Sequence, residues 1–143
     1  MAVHVTASCF GLGLALLGAG PAAAGPETLQ RSLQNVAFAP VDFTLAPVVA
    51  GRSIARGLES EDDPIAVRVA FAGPGIVWNT GVQALASVVR GLAGVLELPP
   101  GIALCFSDAD LAPLYDPAEH GPALVDVETR ALHVRIGVDY VAP

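Results

Sequence analysis

The residues best suited to chemistry lie in one acidic stretch near the C-terminal end, "DADLAPLYDPAE". Four carboxylates fall at positions 1, 3, 9 and 12 of a frame like the calcium loop of an EF-hand. They are Asp108, Asp110, Asp116 and Glu119. The sixth position, where the sharp turn needs glycine, is Pro113, and the fifth is Ala112, which offers no side-chain oxygen. A calcium or small-ligand module is therefore the alternative to a solvated, proline-rich acidic loop.

A second hypothesis for this loop is a metal or acid–base site at Asp116, Glu119 and His120. Three titratable groups in a loop are more often solvated than catalytic. The sequence contains no G-x-S-x-G nucleophile motif. The glycines that could suggest a phosphate-binding loop fall within residues 11–20, in the N-terminal leader. We therefore predict no catalytic residue, no cofactor-binding residue, no cofactor and no enzyme activity.

Residues 1–24 predict a secretory signal peptide. An uncharged apolar run from Cys9 to Ala19 precedes Pro21 and the small-residue triplet that ends at Ala24. The run is shorter than the roughly 20 apolar residues that a membrane span needs. No lysine or arginine precedes it, which is atypical of such leaders. We expect export to the periplasm or envelope and a mature chain, residues 25–143, that forms one small domain.

The charge balance narrows the class of partner. Fourteen acidic residues and seven Lys and Arg residues together give a formal net charge of -7. Such a chain is unsuited to nucleic acid and is not attracted to anionic lipid headgroups. Contact with a membrane would have to use apolar surface, so the partner is either an unknown envelope protein or a membrane surface.

Residues 26–100 are predicted to be helical, in two or three kinked amphipathic segments. "PETLQRSLQNVAF" places apolar residues at i, i+4 and i+7, which predicts a first helix. Pro40 and Pro47 are each expected to kink or end a helix, and a second helix is expected to open at Pro47. The acidic run Glu59–Pro64 indicates a linker. "IAVRVAF" fits a strand or a helix, and "AGPG" is expected to break whichever forms.

The segment Ile76–Leu98 is the most apolar part of this region, and it predicts a helix with one polar seam. Within an arc of roughly 100° lie its polar groups, with Gly94 among them. These groups are Asn79, Thr80, Gln83, Ser87, Arg90 and Glu97. The opposite side carries Trp78, Leu85, Val89, Leu92 and Leu96. We expect the broad apolar side to be buried.

That helix is also where we expect contact with another helix or with a partner. The small residues Ser87, Gly91 and Gly94 would let a second backbone approach closely. A core helix or a helix that faces a partner is favoured, while interfacial membrane contact, a true membrane span and a homo-oligomer formed through the helices stay open. The residues predicted for packing and interaction are Trp78, Gln83, Leu85, Arg90, Leu92, Gly94 and Glu97.

Three motifs carry a family resemblance. "RGLAGVLELPP" has the spacing R-x3-G-x2-E, "DLAPLYDP" has D-x-x-P-L-x-x-P, and "RSLQNVAFAPVDF" carries Arg31, Leu33, Asn35, Val36 and Asp42. Together they resemble a family of small exported bacterial proteins associated with the exosortase protein-sorting system, over about residues 31–119. The chain departs from that family at Pro40, where an aromatic residue is typical, and in its C-terminal strands, which extend further. The resemblance implies an envelope context and no activity.

The first and second motif regions also echo each other, since each runs through apolar residues to one carboxylate, Asp42 or Glu97. Two such elements could pack as an antiparallel helical pair with Arg90 available to one carboxylate. After a proline-rich acidic loop, residues 101–122, the alternation in "ALVDVETRALHVRIGVDYVA" predicts a β-hairpin over residues 123–141 with Asp126 opposite His133. The expected fold is α+β, and the expected function is that of an exported, non-enzymatic accessory protein.

Overall fold

Two long helices followed by a β-hairpin form the described part of the chain. The computed structural model describes residues 27–60, 64–107, 109–129 and 132–142. Helix α1 spans Glu27–Ser60, and helix α2 spans Ile65–Leu104. After a short 3-10 turn at Pro117–Glu119, strands β1 (Ala123–Thr129) and β2 (Leu132–Val138) pair antiparallel. The predicted α+β layout is confirmed, whereas the predicted signal peptide lies outside the described residues.

The two helices pack against each other through small residues. A Cβ added at Gly94 would lie 2.8 Å from the Ser32 carbonyl oxygen, and one at Gly91 would lie 3.1 Å from the Cβ of Ala39. These contacts run in opposite chain directions along α1 and α2, so the helices are antiparallel. The predicted close approach of a second backbone is therefore confirmed at Gly94, where the partner is α1 of the same chain, while at Gly91 the nearest atom belongs to the Ala39 side chain.

The helix start predicted at Pro47 and the break predicted at "AGPG" are wrong, and neither Pro40 nor Pro47 ends a helix. Helix α1 runs without interruption through Pro40 and Pro47, and α2 runs through Pro74 and the Pro99-Pro100 pair. An internal proline costs a backbone hydrogen bond and displaces the preceding turn. Four of these five rings point to the exposed side of their helix, Pro100 being half-buried. They do not interrupt the face on which the two helices pack, and contact on that face continues past each of them.

The segment "IAVRVAF" belongs to the first turns of α2. The backbone N–H groups of Val67 and Arg68 donate to the carbonyl of Pro64, at 2.9 and 3.2 Å. Its alternating pattern has no sheet to pack on, and Ile65, Val69 and Phe71 are all exposed. The strand alternative is therefore wrong for this segment.

The hairpin forms as predicted, but its register is shifted by two residues. Asp126 lies opposite Arg135, and Glu128 lies opposite His133. A shift of two residues keeps each side chain on the same face of the sheet. As a result the Nε2 of His133 still lies 2.6 Å from Oδ1 of Asp126, as a diagonal neighbour.

Candidate functional site

A buried polar seam lies between the helical pair and the C-terminal segment, residues 109–142. Its α1 residues are Thr28, Ser32, Asn35 and Asp42. Its α2 residues are Asn79, Gln83, Ser87, Arg90 and Glu97. The four on α1 recur at helical spacing on one side, and so do the five on α2. The seam brings together the charged and amide side chains, which are the ones that could bind a ligand or take part in a reaction.

Arg90 is at the centre of the seam. Its Nη1 donates to Oδ2 of Asp42 at 2.6 Å and to the backbone carbonyl of Arg135 at 3.1 Å. Its Nε donates to Oδ1 of Asn35 at 3.1 Å, and its guanidinium lies 5.9 Å from the ring centre of Phe38. The guanidinium therefore joins both helices to β2. The predicted pairing of Arg90 with one of two carboxylates is confirmed, and the carboxylate is that of Asp42.

Asp42 joins α1 to the hairpin. Its Oδ1 accepts the N–H of Gly137 at 2.7 Å, and its Oδ2 accepts the hydroxyl of Tyr140 at 2.6 Å. Gly137 has a φ of +64°, a conformation that favours glycine. Burial raises the pKa of the Tyr140 hydroxyl well above its usual value, and the hydrogen bond to Asp42 acts in the same direction. Tyr140 therefore keeps its proton at physiological pH and donates a hydrogen bond to Asp42.

Glu97 organises the end of the seam near the start of α1. Its Oε2 accepts from Nε of Arg31 at 3.3 Å, and its Oε1 accepts the backbone N–H of Leu114. Arg31 also donates to the carbonyl of Leu111 at 2.9 Å. One turn further along α1, Nδ2 of Asn35 donates to the carbonyl of Tyr115 at 3.0 Å. These bonds fix the acidic loop along the helices.

Asp139 organises the other end. Its Oδ2 accepts from Nη2 of Arg56 at 2.7 Å, and its Oδ1 accepts from Nε2 of Gln83 at 2.8 Å. The Oε1 of Gln83 in turn accepts the N–H of Tyr140 at 3.0 Å. Asp139 is 1 % exposed. A carboxylate this deeply buried is tolerated because it is paired with Arg56 and hydrogen-bonded on both oxygens.

Arg135 fixes the loop to the hairpin. Its guanidinium donates to backbone carbonyls of the loop, to Gly121 at 2.7 Å and also to Pro117, while its Nε donates to Asp126 at 3.1 Å. The hydrogen bond from His133 lowers the pKa of the Asp126 carboxyl, and the charge of Arg135 adds to this effect. Tyr115 lies in the acidic loop, and its ring stacks on that of His120 with 4.9 Å between centroids. Burial raises the pKa of the Tyr115 hydroxyl to about 12.

The other sides of the helices carry apolar side chains that face outward. Trp78 is 73 % exposed, Leu85 66 % and Leu92 59 %, whereas Gln83 and Arg90 are each 1 % exposed. The expectation that Ile76–Leu98 buries its broad apolar side is therefore wrong, and the burial is inverted. The charged and amide groups can lie inside because the C-terminal segment supplies their partners, as Asp139 does for Gln83, and a buried polar group left unpaired would cost free energy. The hydroxyls of Ser32 and Ser87 donate instead to backbone carbonyls of α2.

This exposed apolar surface, which we call the outer face, contains a groove between the helices. The groove has a volume of about 290 Å³. It is lined by Val36, Ala39, Pro40, Phe43, Ser87, Val88, Gly91, Leu92 and Val95. From Ser32 to Gly51 the only charged residue of α1 is the buried Asp42, and from Val69 to Leu104 α2 has only the buried Arg90 and Glu97. Both helices are long and apolar enough to cross a membrane.

Two carboxylates of the predicted calcium frame, those of Asp110 and Asp116, have partners within the chain. Oδ1 of Asp110 accepts from the Thr28 hydroxyl and from the N–H of Leu111, and Oδ1 of Asp116 accepts the N–H of Ala118 at 2.8 Å. Glu119 is exposed, and Asp108 lies outside the described residues. Within residues 27–60, 64–107, 109–129 and 132–142, no group of three His, Cys, Asp or Glu side chains could hold a metal ion.

The structure divides the predicted interaction residues between two surfaces. Gln83, Arg90, Gly94 and Glu97 lie in the seam, while Trp78, Leu85 and Leu92 lie on the outer face. The sequence did not reveal the roles of Asp139, Tyr140 and Arg135, because each acts on residues far along the chain. The signal available was the surplus of polar groups on one side of α2, which implied partners. Comparison of the chain with protein-family models, curated proteins and solved structures found no match.

Proposed function

We propose that the mature chain is an exported, non-enzymatic accessory protein of the bacterial envelope that is held in the surface of a membrane by the outer face of its helical pair. The observation that carries this proposal is the inverted burial of the helices. Exposed apolar patches of more than a few hundred Å² are rare on soluble monomers and mark interaction sites. A bilayer is the occupant whose chemistry fits an uncharged surface that extends along both helices.

The outer face presents a long stretch of α1 without exposed charge to the surface of the bilayer. The part of α1 from Ser32 to Gly51 is about 30 Å long at about 1.5 Å per residue, and it is bounded by Arg31 and Arg52. Burying one large apolar side chain contributes about 1.5–3 kcal/mol. Phe43, Leu92 and Leu96 alone would therefore contribute several kcal/mol, with no attraction between the acidic chain and anionic headgroups.

The C-terminal segment determines how the helices would lie. It covers the seam from Thr28 to Arg56, which is most of the length of α1, and its hairpin exposes Asp126 and Glu128. Open strand edges and exposed carboxylates are not tolerated in hydrocarbon. The helices therefore lie parallel to the membrane plane, with the outer face buried about 5–10 Å and the C-terminal segment in water.

An accessory role fits the way in which the polar side chains are used. The carboxylates and guanidinium groups of the seam bond to one another and to the backbone, and they hold the C-terminal segment in place. The groove on the outer face is lined by apolar groups apart from Ser87, whose hydroxyl donates to the carbonyl of Ala84 at 2.7 Å. The predicted leader and the resemblance to exosortase-associated proteins supply the envelope context.

The test uses Trp78, the single tryptophan, which lies on the outer face. We expect the mature protein to co-sediment with phosphatidylcholine vesicles, with a blue-shifted Trp78 emission that is quenched by lipids brominated near the headgroup. Binding should change little between about 0.05 and about 0.5 M salt, because it is apolar. Leu92→Asp should weaken binding by about tenfold or more.

The matched control is Leu114→Asp, since Leu114 is similarly exposed but lies on the C-terminal segment. It should bind vesicles as the parent does, and both variants should keep the parental circular dichroism spectrum. Equal binding by Leu92→Asp and the parent would contradict the proposal. So would a stable dimer in solution that shields Trp78 from an aqueous quencher and leaves the protein unbound to vesicles.

A further inference from the structure

The two edges of the hairpin differ in how their backbone groups are satisfied. On the outer edge of β2, the carbonyl of Arg135 accepts from Arg90, and the N–H of Gly137 donates to Asp42. These two helix residues are themselves joined by a 2.6 Å salt bridge. A buried ion pair thus closes the edge of β2 in the place where a third strand would pair.

The outer edge of β1 has no such cover from the described residues. Alternate residues of a strand direct their N–H and C=O groups to opposite edges. Arg135 and Gly137 direct these backbone groups away from β1. In the register of the hairpin they lie opposite Asp126 and Leu124, so the backbone groups of Asp126 and Leu124 point away from β2. Those of Glu128, two residues beyond Asp126, point the same way. Within the described ranges the only extensive neighbour of β1 is β2. Val125 and Val127 on β1 are also about half-exposed.

We propose that the outer edge of β1 adds an extended, basic segment of a partner protein as a third strand. An unpaired strand edge is a template for another chain, and strand addition is a common mode of peptide recognition. β1 contains neither proline nor lysine, the residues that often protect such an edge. A two-stranded hairpin is marginal by itself, and a third strand would strengthen it.

The charge of β1 selects the kind of partner. The strand has no basic residue, and of its two carboxylates that of Asp126 already bonds to His133 and Arg135 of β2, whereas Glu128 is exposed and is the main charge that an added strand would meet. Basic side chains of an added strand would lie beside these carboxylates, and opposite charges on neighbouring strands stabilise a sheet. The edge also lies on the side of the molecule away from the outer face, so a membrane-bound protein could use it from the aqueous side.

The same charges make a second copy of this chain an unsuitable occupant. If two β1 strands paired antiparallel about their centres, Asp126 would lie opposite Asp126 or opposite Glu128 of the other copy. Like charges directly opposite each other destabilise a sheet. The basic segment of another protein avoids this repulsion and uses the same backbone groups.

The experiment measures binding of a fluorescein-labelled peptide of alternating lysine and valine to the full mature chain by fluorescence anisotropy. A peptide with glutamate in place of lysine is the matched probe, and hydrogen exchange of the Asp126 and Glu128 amides reports on strand addition. We expect the lysine peptide to bind at least about tenfold more tightly than the glutamate peptide. Its binding should slow exchange of both amides.

Three variants at one position separate the backbone from the charge. Glu128→Pro removes an N–H that points to the open edge and leaves the ladder to β2 intact, so binding should fall about tenfold or more. Glu128→Thr keeps the N–H and removes the charge, and it should weaken binding by about threefold. Glu128→Lys keeps the backbone and should narrow or reverse the preference between the two peptides. This last variant keeps the test valid if proline loosens the hairpin.

Equal affinity for the two peptides would overturn the proposal, as would unchanged binding by both Glu128→Pro and Glu128→Lys. Sedimentation of the free protein checks the other occupant. A dimer that Glu128→Pro dissociates, without binding of either peptide, would assign the β1 edge to a second copy and contradict a basic partner.

Discussion

The seam and the outer face are two sides of the same helices, and they differ in what holds them. On the seam, charged and amide side chains are buried and bonded to a segment that comes later in the chain, by 17 residues for Glu97 and Leu114 and by 56 for Gln83 and Asp139. On the outer face, aromatic and aliphatic side chains are exposed with no described cover. Buried polar groups and large exposed apolar patches are the informative departures from a soluble fold. The comparison shows that the buried contacts between the helices and the C-terminal segment are mainly polar.

The buried apolar residues lead to the same conclusion. Only small or medium side chains are fully buried among the described hydrophobic residues, namely Ala39, Ala46, Val49, Ala50, Ala93 and Val138. Small residues that allow close backbone approach, together with interhelical hydrogen bonds, are typical of helix pairs in an apolar solvent. The stability of this pair should therefore depend more on single seam residues than on any single leucine of the outer face.

The largest expected effect is at Arg90. Replacing it with methionine removes the partner of Asp42 while the carboxylate stays buried, which should cost about 3–5 kcal/mol of unfolding free energy. Urea unfolding followed by circular dichroism in a mild detergent would measure the loss. The control is Arg52→Met, because Arg52 is exposed on α1. It should stay within about 0.5 kcal/mol of the parent, and a similar loss in both variants would contradict the central role of the seam.

The next effect compares one residue from each side of α2. Gln83→Glu would place a second carboxylate beside Asp139 in a buried site, where Nε2 of Gln83 now donates at 2.8 Å. We expect a loss of about 2–4 kcal/mol. Leu92→Asp in the same detergent should change the unfolding free energy by only about 0.5 kcal/mol, because Leu92 is exposed. Periodicity alone implied the reverse order, and a measured reverse order would restore the buried apolar side.

The seam shows which parts of this fold the sequence could predict. Helical periodicity, the aligned polar groups of α2 and the alternation of the hairpin are local patterns, and each led to the correct element. The approach at Gly94 and the pairing of Arg90 with a carboxylate followed from them. Which side of α2 is buried could not be predicted from these patterns, because it depends on the C-terminal segment. A polar stripe on a helix faces water unless distant residues such as Asp139 and Tyr140 supply hydrogen-bond partners for it.

The helix ends predicted at prolines failed for a related reason. Local rules place a break at Pro47 or Pro74 because each proline costs a hydrogen bond. These rules do not take into account the second, antiparallel helix, which contacts each helix on the side opposite its proline rings. At Gly75, next to Pro74, an added Cβ would lie 2.9 Å from Cδ1 of Ile54, which shows that α1 still contacts α2 there.

The smallest expected effect compares glycines on the two sides of α2. An alanine Cβ at Gly94 would lie 2.8 Å from the Ser32 carbonyl oxygen and 2.9 Å from the backbone N of Val36, so the helices must separate. Overpacking of this kind should cost about 1–3 kcal/mol. At Gly81 no atom beyond its chain neighbours and the adjoining backbone of α2 lies within 4 Å of the added Cβ. There alanine should stabilise the helix by about 0.5–1 kcal/mol, because glycine loses more backbone entropy on folding. Melting temperatures of the two variants should therefore move in opposite directions from that of the parent. If both melting temperatures rose, the close contact of α1 and α2 at Gly94 would have to be abandoned. If both fell, Gly81 would have to be in contact with another part of the protein, contrary to its exposure on α2.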